Sequence, residues 1–172
     1  GLFHKTPLDL LAAMDVARAH GFTRVALLGY SMGCTVCTNF LANHDVPEAV
    51  GLCTIAHPES LPEALRLRWQ RYGSTPTYDE VAEYARPIVA DHPDDPPGDR
   101  IFTVMRANGP LPTPENGEIW TYATWWSSRG PESPHAVSRD QIGKVRVPIA
   151  ILQAGNDHLI QPGEGYELAH EA

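Results

Sequence analysis

No stretch of the 172-residue chain approaches 18 uninterrupted apolar residues, and its first residues carry neither a basic region nor the apolar run of an export signal. The sequence thus points to no membrane span and no export route, and a cytoplasmic location is the expectation. Basic residues are scarce. Thirteen Lys plus Arg against twenty-one Asp plus Glu give a formal charge of -8, too negative for a broadly electropositive face, so no nucleic acid partner is expected. Cysteine is limited to Cys34, Cys37 and Cys53. The first two form a C-x-x-C pair, but no second pair and no close Cys/His pair completes a zinc set. The pair also lies inside a helix-like run rather than just ahead of one, where a redox dithiol belongs. No metal is expected, and nothing calls for a cofactor.

What the chain does have is enough apolar and aromatic material to fold. Hydrophobic residues make up 42%, with four Trp, six Tyr and four Phe, which excludes a wholly disordered polymer and sets one domain as the prior. Glycine and proline together exceed the average share, and most of the prolines lie beyond residue 57. Thr6, Pro7 and Asp9 resemble a helix start with Thr6 as N-cap, followed by Leu8, Leu11, Ala12, Val16 and Ala19 on one face and a stop at Gly21. Val25 to Leu28 form a short apolar run that suits a strand covered on both faces. A helix over about 32–43, a buried strand over about 49–55, a further strand over 147–152 with Pro148 near its start, and a last helix opening near Pro162 complete an alternating pattern.

Residues 58–145 read differently. Ser60 with Glu63 and Thr77 with Glu80 fit capping boxes, which predicts helices over about 61–72 and 78–90, the second kinked or ended by Pro87. After the solvated acidic loop at 91–100 come a short helix near 100–107 and another around 115–128. Small helices joined by Pro-rich turns predict a helical cap inserted into the alternating core.

Residues 25–40 read VALLGYSMGCTVCTNF, so Gly29, Ser31 and Gly33 form G-x-S-x-G between a strand-like and a helix-like run. A serine on a tight strand-to-helix turn stands clear of its surroundings, and small residues at 29 and 33 let the chain turn and the helix approach. Its hydroxyl needs a base to become a nucleophile, while the helix N-terminus and the Met32 backbone N–H would stabilise an oxyanion. The plainer alternative is a Gly-rich turn in which Ser31 is an N-cap. A phosphate loop is disfavoured because the Gly-rich Lys-Ser/Thr sequence and the dinucleotide fingerprint are both absent.

On these residues the chain resembles part of an alpha/beta-hydrolase. The resemblance implies an α/β fold: a partial alpha/beta-hydrolase core, with a parallel sheet, flanking helices and a helical cap insertion. It covers about residues 6–57 and 146–172 directly. The expected organisation is therefore 1–57 as a core part with the nucleophile elbow, 58–145 as the cap and 146–172 as a core part with the acid loop. The segment Ile149 to Pro162, IAILQAGNDHLIQP, resembles the acid-bearing region, which makes Asp157 the acid that orients and stabilises a histidine. In the family that histidine follows another helix and strand, about 25 residues past the acid. His170 is too near Asp157, and His57 and His158 are weaker matches, so the base is expected outside the chain. The core is expected to continue beyond both ends, and the 172 residues alone to be inactive. The alternative is a reduced fold that closes its sheet edges by oligomerising, as in a homodimer.

The implied reaction is acyl transfer to water through Ser31, with Met32 in the oxyanion hole. The implied substrate is a small or medium hydrophobic ester, lactone or thioester. Tyr30, Trp120, Trp125 and Trp126 are candidates to line its pocket. Carbon-carbon bond hydrolysis and acyl transfer to other acceptors use the same constellation, and a non-hydrolytic ligand-binding or scaffold member is the competing class. Cys34, where a further glycine is frequent, is expected to add bulk beside the nucleophile.

Overall fold

The computed structural model describes residues 2–92, 98–107, 117–157, 159–161 and 163–172. These divide into two compact units, the first formed by Phe3–Leu61 and Pro134–Ala172, the second by Pro62–Ser133 together with Leu2.

In the first unit the alternating pattern becomes α1 (Thr6–Ala19), β1 (Val25–Tyr30), α2 (Met32–Asn43), β2 (Ala49–Ile55) and β6 (Ile149–Leu152), with α6 (Arg139–Ile142) and α7 (Glu164–Glu171) in its second segment. The strands form a parallel sheet of order β1-β2-β6, as continuous apolar runs joined through helices require. Met14, Leu27, Cys37, Phe40, Leu41, Leu52 and Val145 build its core. The apolar run of β1 is buried on one face only. Leu27 and Gly29 point inward, whereas Leu28 and Tyr30 are exposed, so the expectation of burial on both faces is not met among the described residues.

Two details of α1 differ from expectation. Thr6 lies inside the helix, after Lys5 in the N-cap position, and its hydroxyl donates to the Phe3 carbonyl at 2.7 Å instead of capping. The inward stripe is Pro7, Leu10, Leu11, Met14 and Ala17, while Leu8 and Val16 are exposed. Gly21 does end the helix, at φ 83°, a left-handed conformation that glycine adopts without strain.

The predicted boundary at residue 145 moves to 133. Ala136, Ile142 and Val145 are buried in the first unit, and Ser138 donates its backbone N–H to the Glu59 carbonyl at 2.7 Å. At the other end of the insertion, residues 58–61 likewise belong to the first unit.

The second unit is not purely helical. Its helices α3 (Leu61–Arg71, mostly in this unit), α4 (Tyr78–Ala90) and α5 (Tyr122–Arg129) accompany β3 (Ser74–Thr75), β4 (Ile101–Arg106) and β5 (Gly117–Thr121). The three strands form an antiparallel sheet of order β3-β4-β5. The helix expected near 100–107 is therefore β4, because Phe102 and Val104 alternate inward with period two. The helix expected over 115–128 begins only after β5, at Tyr122; residues 115 and 116 lie outside the described residues, as do 93–97 of the acidic loop. Thr77 and Glu80 form the expected capping box, and α4 runs through Pro87 to Ala90.

Candidate active site

Ser31 follows the last residue of β1 and precedes the first residue of α2. It adopts φ 51° and ψ -121°, a conformation unusual for any residue with a side chain. The turn is held from both sides. Ser31 N–H donates to the Ile55 carbonyl at 2.9 Å, and Cys34 N–H donates to the Ser31 carbonyl at 2.9 Å. Gly29 is needed for this approach, since a Cβ there would stand 2.6 Å from Cys34 Cα. Gly33 faces nothing within 4 Å, so its role is not steric. Ser31 occupies the N-cap position of α2, yet its hydroxyl makes no capping bond.

Cys34, expected to add bulk beside Ser31, has its side chain buried. Its thiol donates to the Ile55 carbonyl at 3.2 Å, and burial pushes its pKa up to about 11. Burial also raises that of Cys37, so the C-x-x-C pair is packing within α2 and not a reactive dithiol.

Asp157 lies in the loop after β6. Tyr30, Ile55 and Leu152 occupy one register row, so the turn bearing Ser31 and the loop bearing Asp157 leave the same edge of the sheet. With β2 between them, β1 and β6 are separated by two strand spacings, roughly 10 Å. The Asp157 Oδ1 accepts from Leu159 N–H at 2.8 Å and Ile160 N–H at 3.1 Å. Its Oδ2 accepts no hydrogen bond among the described residues. One oxygen thus fixes the side chain, as an Asx turn does.

No described histidine bonds to Ser31 or Asp157. His57, just beyond β2, is fully buried; its Nε2 meets Ser138 Oγ at 2.9 Å, and Ser138 Oγ donates to Thr35 Oγ1 at 2.9 Å. This chain ties the end of β2 and the start of α6 to the first turns of α2, one turn beyond Ser31. No local pattern points to it, because its members are 81 and 103 residues apart. His170 is exposed on α7, and His158, like Pro162, lies outside the described residues.

Burial holds the His57 pKa down to about 4. An unfolded histidine titrates near 6.5, so as pH falls from 6.5 towards 4 the unfolded chain takes up a proton that the folded chain refuses, and stability drops. Urea unfolding at pH 7 and pH 5 is expected to differ by about 2 kcal/mol from this group alone. The His57→Gln variant is expected to lose that part of the pH dependence; an unchanged dependence would place the titrating group elsewhere.

The remaining candidates separate by environment. Met32 is the first residue of α2, and Tyr30 is exposed at the end of β1. Trp125 and Trp126 are buried in the core of the second unit, where Trp125 packs with Tyr78 at a centroid separation of 5.1 Å and Trp69 at 6.1 Å. Their expected role as pocket lining gives way to packing, because rings of this size are what a small unit buries first. Trp120 is partly buried and donates its Nε1–H to Glu118 Oε2 at 3.0 Å. A cavity of about 590 Å³ lined by Leu41, His44, Val46, Lys144 and Val147 lies at the far end of α2 from Ser31, the wrong end of a parallel sheet for chemistry at the strand C-termini. Among the described residues no three His, Cys, Asp or Glu side chains could hold a metal, and no helix is long and apolar enough to cross a membrane.

No protein-family model matches the chain, and no curated protein matches it by sequence. Its fold does match solved structures. The enol-lactonase from Burkholderia xenovorans LB400 is similar over 99% of this chain and 61% of its own, with TM-score 0.53 and 16% identity. The esterase domain of a Rhodothermus marinus protein is similar over 95% of this chain and 51% of its own, with TM-score 0.51 and 16% identity. The chain therefore spans about half to three fifths of the length of these structures and has an alpha/beta-hydrolase fold, with a parallel core sheet and flanking helices.

Proposed function

We propose that Ser31 is the nucleophile of a serine hydrolase acting on small or medium hydrophobic esters, lactones or thioesters. The observation that carries the reading is the Ser31 backbone: a residue with a side chain held at φ 51° at a strand-to-helix turn, its hydroxyl contributing no capping bond. Strain of this kind persists where the surrounding structure enforces it, and it lifts Oγ above the sheet edge at the positive end of α2.

In this reading Ser31 Oγ attacks the substrate carbonyl and forms an acyl-enzyme. The Met32 N–H helps hold the tetrahedral oxyanion, and a histidine outside the 172 residues takes the Ser31 proton and returns it to the leaving group. Asp157 Oδ2 accepts the far N–H of that histidine and stabilises the imidazolium. Water then releases the acyl group by the same route. Tyr30, exposed next to Ser31 at the end of β1, is the remaining candidate in the first unit to meet the apolar part of the substrate. The fold shared with an esterase domain and an enol-lactonase agrees with this class of substrate.

The test is a panel of acetyl, butyryl and octanoyl esters and a lactone, offered to the full gene product. Hydrolysis well above the buffer rate, strongest with short or medium acyl chains, is expected. Rates equal to buffer across the panel would favour the non-hydrolytic, ligand-binding alternative.

A further inference from the structure

We infer that Arg68, Arg106 and Glu118 form a binding site for a small carboxylate-bearing molecule in the second unit. The inference does not depend on the chemistry assigned to Ser31.

The three side chains are brought together by local structure. Arg68 is on α3, and Arg106 ends β4. Glu118 pairs with Val104 across the β4–β5 ladder, so Arg106, two residues beyond Val104, is its diagonal neighbour on the same face. Glu118 Oε1 accepts from Arg68 Nη2 at 2.8 Å and also from Arg106 Nη2, and Glu118 Oε2 accepts from Trp120 Nε1–H at 3.0 Å. The arginine side chains are only 27% and 11% exposed.

Two guanidiniums therefore face one carboxylate. Each carries five N–H donors, and Glu118 engages one nitrogen of each. The Nε atoms of both arginines are buried and without a hydrogen-bond partner among the described residues. The Arg106 guanidinium also lies 6.0 Å from the centroid of the Tyr72 ring, a contact that accepts positive charge without neutralising it. Burial lowers the pKa of both arginines, and the Arg68 charge lowers that of Arg106 further. A guanidinium does not relieve such strain by losing its proton. It is relieved by a second anion.

The geometry favours a carboxylate. A planar carboxylate presents two oxygens that match the guanidinium fork, and the resident group that already satisfies these arginines is itself a carboxylate. Tyr72 and Trp120 beside the charges suit an apolar or aromatic body on the ligand. An incoming carboxylate would share or displace Glu118, and any movement of Glu118 changes the Trp120 indole hydrogen bond. That indole proton is the reporter.

The test uses the ¹⁵N-labelled chain, with the Trp120 indole resonance assigned through Trp120→Phe, titrated with benzoate, with benzamide and with inorganic phosphate. Benzoate is expected to shift the Trp120 indole signal saturably, and benzamide to leave it in place. Glu118→Gln removes the competing anion, so it is expected to bind benzoate about tenfold more tightly while lowering stability without ligand. Arg106→Gln is expected to lose the shift. If Arg106→Gln does not fold, the wild-type and Glu118→Gln titrations decide. A Trp120 signal indifferent to benzoate, an equal response to benzamide, a response to phosphate in place of benzoate, or unchanged or weaker binding by Glu118→Gln would overturn the inference. The last would reduce the cluster to an ion-pair network that only supports the fold.

Discussion

Replacing Ser31 with alanine is expected to lower ester turnover of the full gene product by a factor of about 10⁴ or more, with little change in stability. The magnitude follows from removing the nucleophile of a unit whose parts act together, leaving only binding and oxyanion stabilisation. The small effect on stability follows from the site: the Ser31 hydroxyl makes no capping bond, so its loss orphans nothing. A companion variant separates chemistry from strain. Ser31→Gly should be equally inactive but more stable than wild type by about 1–2 kcal/mol, because glycine adopts φ 51° without a Cβ clash. Turnover by Ser31→Ala within tenfold of wild type would remove Ser31 from the mechanism. A Ser31→Gly variant less stable than wild type would remove the argument from strain.

The second large effect is expected at Gly29. A Cβ at this position would stand 2.6 Å from Cys34 Cα, 2.8 Å from Cys34 N and 2.9 Å from the Gly33 carbonyl oxygen. All three are backbone atoms of the first turn of α2, which cannot move aside without breaking the bonds from Ser31 to Ile55 and from Cys34 to Ser31. Gly29→Ala should therefore cost more than about 3 kcal/mol in urea unfolding and abolish turnover in whatever remains folded. Gly33→Ala is the control within the same motif. It meets nothing within 4 Å and lies in a helix, so it should be neutral or stabilising by up to about 1 kcal/mol. Equal costs at the two glycines would mean that the turn is not packed as described.

The parts of the fold legible in the sequence were those with one strong local signal. The apolar runs at Val25–Tyr30, Ala49–Ile55 and Ile149–Leu152, punctuated by Gly21, Gly29 and Pro148, each contain enough information to specify a strand. G-x-S-x-G between a strand and a helix specifies the turn around Ser31, and the capping box at Thr77 specifies the start of α4. The antiparallel sheet was hidden for a physical reason. Alternation over six residues in β4 is too brief to outweigh the helical pattern of the aromatics that follow, the five residues of β5 do not alternate, and a two-residue β3 has no pattern at all.

Charged and polar networks were the least legible. Nothing in the sequence distinguishes Arg68 and Arg106 from the surface groups that long cations usually are, and only the pairing of β4 with β5 brings Glu118 to Arg106. His57 read as a weak candidate for the base, whereas its partners, Ser138 and Thr35, come from other elements and hold it as a structural group. The same limit applies to the inward face of α1. Leu8 and Val16 were as suitable in sequence as Pro7 and Met14, and contact with the rest of the first unit decided between them.

If the turn at Ser31 presents an activated nucleophile, a serine-directed phosphonate will label that residue. The full gene product is incubated with the reagent beside its Ser31→Ala variant, and the modified peptide is located by mass spectrometry. One adduct per molecule is expected, on Ser31, and none on the variant. Equal labelling of the two proteins, or an adduct on another residue, would rule Ser31 out as the nucleophile.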